Sequence, residues 1–254
     1  MSRPQALIFD LLTALLDSWS VWDKSIPESE KHITSGHTWR KRYLDLTYGC
    51  GEYVDYEALV ERSAVDTGLS TSVAKSLIEN WDSIKPWPEV PQILGKLKKH
   101  GYKLAIVTNC SNELGMRAIK NCEASIKYET GESFEFDALV TAEESGYYKP
   151  NPKPYQDVLK KIGVDAEDAI FVAGSSADLP GATGVGMKVV WNNHAGLEMM
   201  NDIKPWREGM NLDEALGDIS FFNCNLSSCD RVNLEGMLAG SPTKLSGYSC
   251  RAIV

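Results

Sequence analysis

The sequence A-L-I-F-D at residues 6–10 is a short apolar run that ends on an acidic residue. A continuous apolar run of this length is typical of a parallel strand buried on both faces. Similar short runs lie at residues 104–108 (LAIVT), 169–173 (AIFVA) and 188–191 (KVVW), with helical spacing or a glycine-rich turn before each. Strands that alternate with helices in this way predict right-handed βαβ units. We therefore expect an α/β fold, a Rossmann-like parallel sheet with helices on both faces.

Residues 18–87 interrupt this alternation. Their apolar positions follow helical spacing and they contain no strand run, so we expect a small helical cap domain inserted after the first strand. The Rossmann-like core then consists of residues 1–17 and 88–222. Residues 223–254 are rich in Ser, Gly, Asn and Cys and have little periodicity. We expect them to form a C-terminal tail or a packing segment.

The charge balance and the apolar content argue against some classes of partner. The chain has 35 acidic and 26 Lys and Arg side chains, a formal net charge of −9, so we expect no nucleic-acid partner. It contains no apolar run of about 18 residues, so we expect no membrane partner. Six cysteines occur without C-x-x-C pairs, which favours reduced thiols and a cytoplasmic location.

Chemically active residues lie where ligands of such sheets bind, outside the carboxyl ends of the strands. Asp10 ends the first run, Thr108 ends the second, and Asp178 follows the third. A carboxylate such as Asp10 can attack carbon or phosphorus to give a covalent intermediate that water then cleaves. An ammonium near it, such as that of Lys149, would lower its pKa and orient it. The Thr108 hydroxyl and backbone amides could bind an anionic group of the substrate.

Four separated motifs resemble those of the haloacid dehalogenase superfamily. They read IFDLLTALLDS from residue 8, IVTNCS from residue 106, YYKPNPKPY from residue 147 and FVAGSSADLPGATGVGM from residue 171. The resemblance covers about residues 5–196. It implies that Asp10 is the nucleophile, that Lys149 orients it and that Asp178 positions or activates water. It also implies that the helical insertion is the mobile cap found at this place in many members.

Leu12 and Ser175 distinguish branches of the superfamily. Phosphatases carry a second Asp as general acid two residues after the nucleophile, where this chain has Leu12, and paired acids in the fourth motif, where it has Ser175 and Asp178. Leucine cannot donate a proton, and Asp10 and Asp178 alone would hold Mg²⁺ weakly. The chain therefore most resembles type II 2-haloacid dehalogenases. That resemblance implies no cofactor, a small carboxylate-bearing organic acid as substrate, and a homodimer.

The segment Trp39-Arg40-Lys41-Arg42-Tyr43-Leu44 resembles that group's W-R-x-K-Q-L segment, whose arginine draws off the departing halide. Asn109 matches the group's halide-contacting asparagine, and Tyr155 matches a tyrosine near the lysine. The catalytic residues implied by the resemblance are Asp10, Lys149, Asp178 and Arg40. The expected substrate-binding residues are Thr108, Asn109, Leu12, Tyr155 and Ser175, and no metal ligand is expected.

Several positions depart from the group. Its D-x-Y-G-T motif reads Asp10-Leu11-Leu12-Thr13-Ala14 here, and Ala173, Ser175 and Ala177 replace a serine, an asparagine and a large tryptophan. These changes remove polar groups and empty space beside the nucleophile, which favours a larger or different substrate. Two alternatives stay open: a Mg²⁺-dependent phosphatase acting on a small organic phosphate, and a catalytically silent relative that binds a metabolite.

Overall fold

A single six-stranded sheet forms the centre of the computed structural model, which describes residues 3–217 and 219. Its strands are β1 (Ala6–Phe9), β2 (Lys103–Thr108), β3 (Ala138–Thr141), β4 (Ala169–Ala173), β5 (Lys188–Asn192) and β6 (Arg207–Gly209). They lie in the order β3-β2-β1-β4-β5-β6, and every neighbouring pair is parallel. The predicted parallel α/β sheet is confirmed.

The central strands are buried on both faces. Leu7 and Phe9 of β1 belong to one hydrophobic cluster, whereas Ala6 and Ile8 belong to another. Successive side chains of a strand point to opposite faces, so each cluster covers one side of the sheet. Burial on both sides is the reason that β1 reads as a continuous apolar run rather than as an alternating one.

Ten helices occur in the described part of the chain. Their bounds are α1 (Ser18–Lys24), α2 (Gly36–Cys50), α3 (Tyr56–Asp66), α4 (Thr71–Glu79), α5 (Val90–Lys99), α6 (Asn112–Thr130), α7 (Ala142–Ser145), α8 (Pro152–Ile162), α9 (Leu179–Gly184) and α10 (Leu212–Leu216). None of them is long and apolar enough to cross a membrane. Helices α1 to α4 fill the segment between β1 and α5, where the sequence predicts helices. The division of the chain into core and cap domains stays a prediction, and the expected tail at residues 223–254 lies outside the described residues.

Aromatic packing fixes α2, the helix that carries Arg40. The ring of Trp39 lies 4.4 Å from that of Trp22 on α1, and its Nε1 donates a hydrogen bond to Ser63 Oγ on α3 at 2.9 Å. The Tyr43 hydroxyl donates to the backbone oxygen of Asn109, just after β2, at 2.9 Å. This last bond ties α2 directly to the carboxyl edge of the sheet.

The sequence prediction missed two strands. The short β3 follows the polar segment 131–137, and β6 is a three-residue edge strand with two charged side chains. The strand β6 lacks the apolar run that identified the central strands, whereas β3 reads ALVT, a short apolar run that the sequence prediction did not use. The edge strand β6 is held by its parallel pairing with β5, in which Trp191 lies opposite Glu208.

Candidate active site

The carboxyl ends of β1, β2 and β4 bring the predicted residues to one edge of the sheet. Asp10 follows β1, which pairs with β2 on one side and β4 on the other. Asp178 closes a 3-10 turn, Ser176–Asp178, shortly after β4. A side chain is excluded at Gly174, since a Cβ there would lie 2.4 Å from the Ala14 backbone nitrogen. The glycine lets the loop after β4 approach the loop that holds Asp10.

Three donors surround the carboxylate of Asp10, a residue that is only 8% exposed as a whole. The Lys149 ammonium donates to Oδ1 at 2.8 Å. The backbone amides of Thr13 and Ala14 donate to Oδ2 at 2.9 and 3.2 Å. Each oxygen is thus held by a different kind of donor, and the carboxylate is fixed in one orientation.

Lys149 links Asp10 to Asp178. Its ammonium also donates to Asp178 Oδ2 at 3.2 Å, and its side chain is 2% exposed. The side chain of Asn109 fixes its backbone, because Oδ1 accepts from Lys149 N at 2.7 Å and Nδ2 donates to Lys149 O at 3.1 Å. Lys149 is therefore a buried residue of the site, not a surface lysine.

The environment pushes the two carboxyl groups toward different pKa values. Burial alone would raise the pKa of Asp10, but the charge and hydrogen bond of Lys149 and the amides of Thr13 and Ala14 lower it below 3.8. Burial raises the pKa of Asp178 above 3.8, and the charge of Asp10 adds to this despite the opposing effect of Lys149. Burial would lower the pKa of Lys149, yet the two carboxylates raise it. A pair of acids separated in this way is typical of a nucleophile and a base.

Arg40 brings a second buried cation to the site. It is 1% exposed, and it donates to Thr13 Oγ1 at 3.0 Å, to Leu12 O at 3.4 Å and to Ser18 Oγ. All of these partners are neutral, and its Nε has no partner among the described residues. Burial lowers its pKa, but a guanidinium stays charged in proteins. The positive charge of Arg40 can therefore attract an anion that enters the cavity.

A small cavity of about 20 Å³ lies between these groups. We call it the catalytic cavity; it is lined by Asp10, Leu12, Thr13, Arg40, Tyr43, Leu44, Tyr48, Thr108, Asn109, Lys149, Ser175 and Asp178. Every predicted site residue except Tyr155 is in this lining. The Thr108 hydroxyl is buried there without a partner among the described residues, which leaves it free to bind a ligand.

Tyr155 lies behind Asp178 rather than at the cavity surface. Its hydroxyl donates to Asp178 Oδ1 at 2.8 Å, so it orients that carboxylate instead of contacting a substrate. Asp178 thus has a partner on each oxygen, Tyr155 on Oδ1 and Lys149 on Oδ2.

Four residues of the lining had no site role in the sequence analysis: Thr13, Tyr43, Leu44 and Tyr48. Leu44 and Tyr48 follow Arg40 on α2 at intervals of four residues, so they share its helix face. That spacing was the available signal. Burial raises the pKa of Tyr48, so its hydroxyl stays protonated at neutral pH and can donate to a ligand.

The residues at this site do not suit a divalent cation. In the described part of the chain, no cluster of three or more His, Cys, Asp and Glu side chains could hold a metal ion. The ammonium of Lys149 already lies between Asp10 and Asp178, and the side chain of Leu12 offers no oxygen ligand. A hard cation needs several oxygen ligands. Here the Lys149 ammonium occupies the position between the carboxylates where such a cation would bind.

The fold and this geometry are typical of a parallel α/β enzyme. A buried, hydrogen-bonded aspartate carboxylate lies at the carboxyl edge of its sheet. The chain belongs to the haloacid dehalogenase-like hydrolase family, whose model matches residues 7–192. Curated relatives include haloacetate dehalogenase H-2 of Moraxella sp. (strain B), 29% identical over 208 residues that cover 77% of this chain and 88% of the relative. Another is the (S)-2-haloacid dehalogenase of Pseudomonas sp. (strain YL), 26% identical over 81% of this chain and 90% of the relative.

Solved structures agree with the fold. The L-2-haloacid dehalogenase from Xanthobacter autotrophicus superposes with a TM-score of 0.67 at 20% identity, covering 86% of this chain and 97% of that one. A predicted phosphoglycolate phosphatase from Haemophilus somnus superposes less well, with a TM-score of 0.55 at 21% identity, covering 75% of this chain and 86% of that one. The predicted membership of the superfamily is confirmed.

Proposed function

We propose that the protein hydrolyses a carbon–halogen bond of a small 2-halo organic acid without a metal ion, by way of an ester on Asp10. One observation carries this proposal: the Lys149 ammonium contacts both Asp10 and Asp178 in a buried site. The curated relatives that act on haloacetate and on (S)-2-haloacids support the substrate class.

In the first half of the reaction, a carboxylate oxygen of Asp10 attacks the carbon that bears the halogen. The carbon–halogen bond breaks and the halide leaves with the bonding electrons. The backbone amides on Oδ2 favour that oxygen as the carbonyl of the ester, so Oδ1 is the attacking atom. Arg40 and the Nδ2 group of Asn109, which carries a second N–H besides the one donated to Lys149 O, would stabilise the departing halide, since developing negative charge is best stabilised by fixed donors. The Thr108 hydroxyl and the phenol of Tyr48 are available to the substrate carboxylate.

In the second half, water attacks the ester carbon of Asp10 and gives up a proton to Asp178. The raised pKa of Asp178 suits a general base, and Tyr155 keeps its carboxylate in place. The amides of Thr13 and Ala14 would stabilise the oxyanion of the tetrahedral intermediate. As this intermediate collapses, Asp178 returns the proton to the leaving oxygen, which releases the 2-hydroxy acid and regenerates both carboxylates.

The phosphatase alternative has weaker support. It needs an acid in place of Leu12 and a cation between carboxylates that Lys149 already bridges. Halide and phosphate release by chelator-treated protein tests the choice, with 2-haloacids and organic phosphates as substrates and Asp10→Asn as the control. We expect halide release that the control lacks. Magnesium-dependent phosphate release would contradict the proposal, and silence on both panels would favour the metabolite-binding alternative.

We also propose a cytoplasmic homodimer. The free thiols of Cys50, Cys110 and Cys122 support a reducing compartment, and the dimer rests on the resemblance alone. Light scattering of the purified protein tests the dimer: a mass near 56 kDa, twice the 28.1 kDa of one chain, is expected.

A further inference from the structure

A larger groove lies beside the catalytic cavity. It has a volume of about 490 Å³, and we call it the side groove. Its apolar walls are Trp19, Leu44, Leu197, Met199 and Met200, and it is also lined by His37, Lys41, Asp45, Ser175, Gly196 and Glu198. Leu44 and Ser175 also line the catalytic cavity. The two spaces therefore share a wall, and Ser175, with its small side chain and 3% exposure, forms the buried end of the groove.

The catalytic cavity alone has too little space for the non-reacting part of a substrate. Its volume of about 20 Å³ leaves room for about one water molecule. The side groove, in contrast, falls within the range of about 300–1,000 Å³ that small-molecule sites occupy. A substituent that extends from the reacting carbon past Ser175 would enter the groove.

The groove has a fixed aromatic wall and an adaptable one. The ring of Trp19 lies 4.7 Å from that of His37 and 4.4 Å from the Arg40 guanidinium carbon, so contacts on two sides hold it. The loop between β5 and β6 contributes Met199 and Met200, which are 44% and 54% exposed. Unbranched thioether side chains adjust to ligands of different shape. These apolar side chains suit an apolar chain, and the charges of Lys41, Asp45 and Glu198, which also line the groove and sum to −1, disfavour an anionic one.

We propose that the side groove binds a linear alkyl or arylalkyl substituent on the halogen-bearing carbon of the substrate acid. The preferred substrates are then longer than haloacetate or 2-halopropanoate. The proposal rests on the proposed function for the chemistry at the halogen-bearing carbon. It rests on the side groove for the binding of the substituent.

Titration calorimetry of unhalogenated acids from propanoate to octanoate tests the groove without the reaction. Each methylene that enters it should increase affinity about fourfold, the value that corresponds to ~0.8 kcal/mol per buried methylene. The Met200→Trp variant fills the groove and should lower the octanoate-to-propanoate affinity ratio at least about tenfold. Met199→Trp serves as a second variant in case the first fails to fold. Met116→Trp, at a 43% exposed position on α6, is the matched control and should leave the ratio unchanged.

The same ratio measured as kcat/KM for halide release from 2-chloro acids separates the two proposals. Chain-length-dependent binding without halide release would support the groove and contradict the proposed function. Halide release from 2-chloropropanoate with no gain for longer acids would support the function and overturn the groove. Absence of binding by every acid, or an unchanged ratio in both groove variants, would also overturn it.

Discussion

Replacing Lys149 with methionine removes the ammonium that contacts Asp10 at 2.8 Å and Asp178 at 3.2 Å. Deleting one partner of a buried ion pair costs about 3–5 kcal/mol. That range applies here because the exposed fractions of the three side chains are 2% for Lys149, 12% for Asp10 and 2% for Asp178. We expect a loss of unfolding free energy in this range at pH 8 and a smaller loss at pH 5, where protonation relieves the repulsion between the carboxylates.

The sign follows from the pKa of Asp10. In the wild type it is lowered below 3.8, because Lys149 and two backbone amides outweigh burial. Asp10 therefore contributes stability that is present above pH 3.8 and is lost as the pH falls through its lowered pKa. In the variant, burial dominates and the pKa rises. The carboxyl group then contributes stability at low pH that is lost as the pH increases, so the deficit of the variant grows with pH.

Urea unfolding at pH 5 and pH 8 measures this deficit, and the pH profile of kcat/KM for halide release measures the effect on reactivity. We expect the acid limb to move upward by about 1–3 pH units. Lys153→Met is the matched control: its ammonium pairs with Asp157 at 2.6 Å and its side chain is 48% exposed, so it should cost less than about 1 kcal/mol. Equal deficits at both pH values, or an unmoved acid limb, would refute the reasoning.

Three further substitutions probe other parts of the site. Asp178→Asn should slow hydrolysis of the ester about 10²–10⁴-fold, while one halide per protein molecule is still released in a burst. Rapid-quench halide assays measure this burst, and its loss would contradict the assignment of Asp178 as the base of the second step. In Arg40→Lys, the ammonium cannot reproduce the guanidinium contacts with Thr13, Leu12 O and Ser18 Oγ. The value of kcat/KM should therefore fall about 10–100-fold, and an unchanged value would remove Arg40 from the mechanism. Gly174→Ala places a Cβ 2.4 Å from the Ala14 nitrogen and should lower the unfolding free energy by about 1–3 kcal/mol, as measured by denaturant unfolding; an unchanged midpoint would argue against the close approach.

The central strands were predictable because burial on both faces leaves a continuous apolar run, as in β1 and β4. The edge strand β3 (ALVT) is as long as β1 and nearly as apolar, so it carried a signal that the prediction did not use. The other edge strand, β6, is short and polar, and pairing with β5 rather than local composition decides its existence. Local sequence contains no record of that pairing. The prediction was therefore accurate at the centre of the sheet and incomplete at its edges.

The same contrast holds for the site. Asp10 and Thr108 were identifiable because residues at the carboxyl ends of parallel strands converge. The exact role of Tyr155 was not, because its distance from the cavity depends on how α8 packs beneath Asp178. Tyr48 reaches the cavity from α2. Its spacing of eight residues from Arg40 indicates a shared helix face, but tertiary packing decides that this face meets the cavity.

The central claim, an ester on Asp10, can be tested by a single turnover in H₂¹⁸O with protein in excess over a 2-chloro acid. Since water attacks the carbon of the Asp10 carboxyl group and not the substrate, we predict that the first 2-hydroxy acid formed contains no ¹⁸O and that the label appears in the peptide containing Asp10. Full incorporation of ¹⁸O into that first product, with none in the protein, would contradict the account.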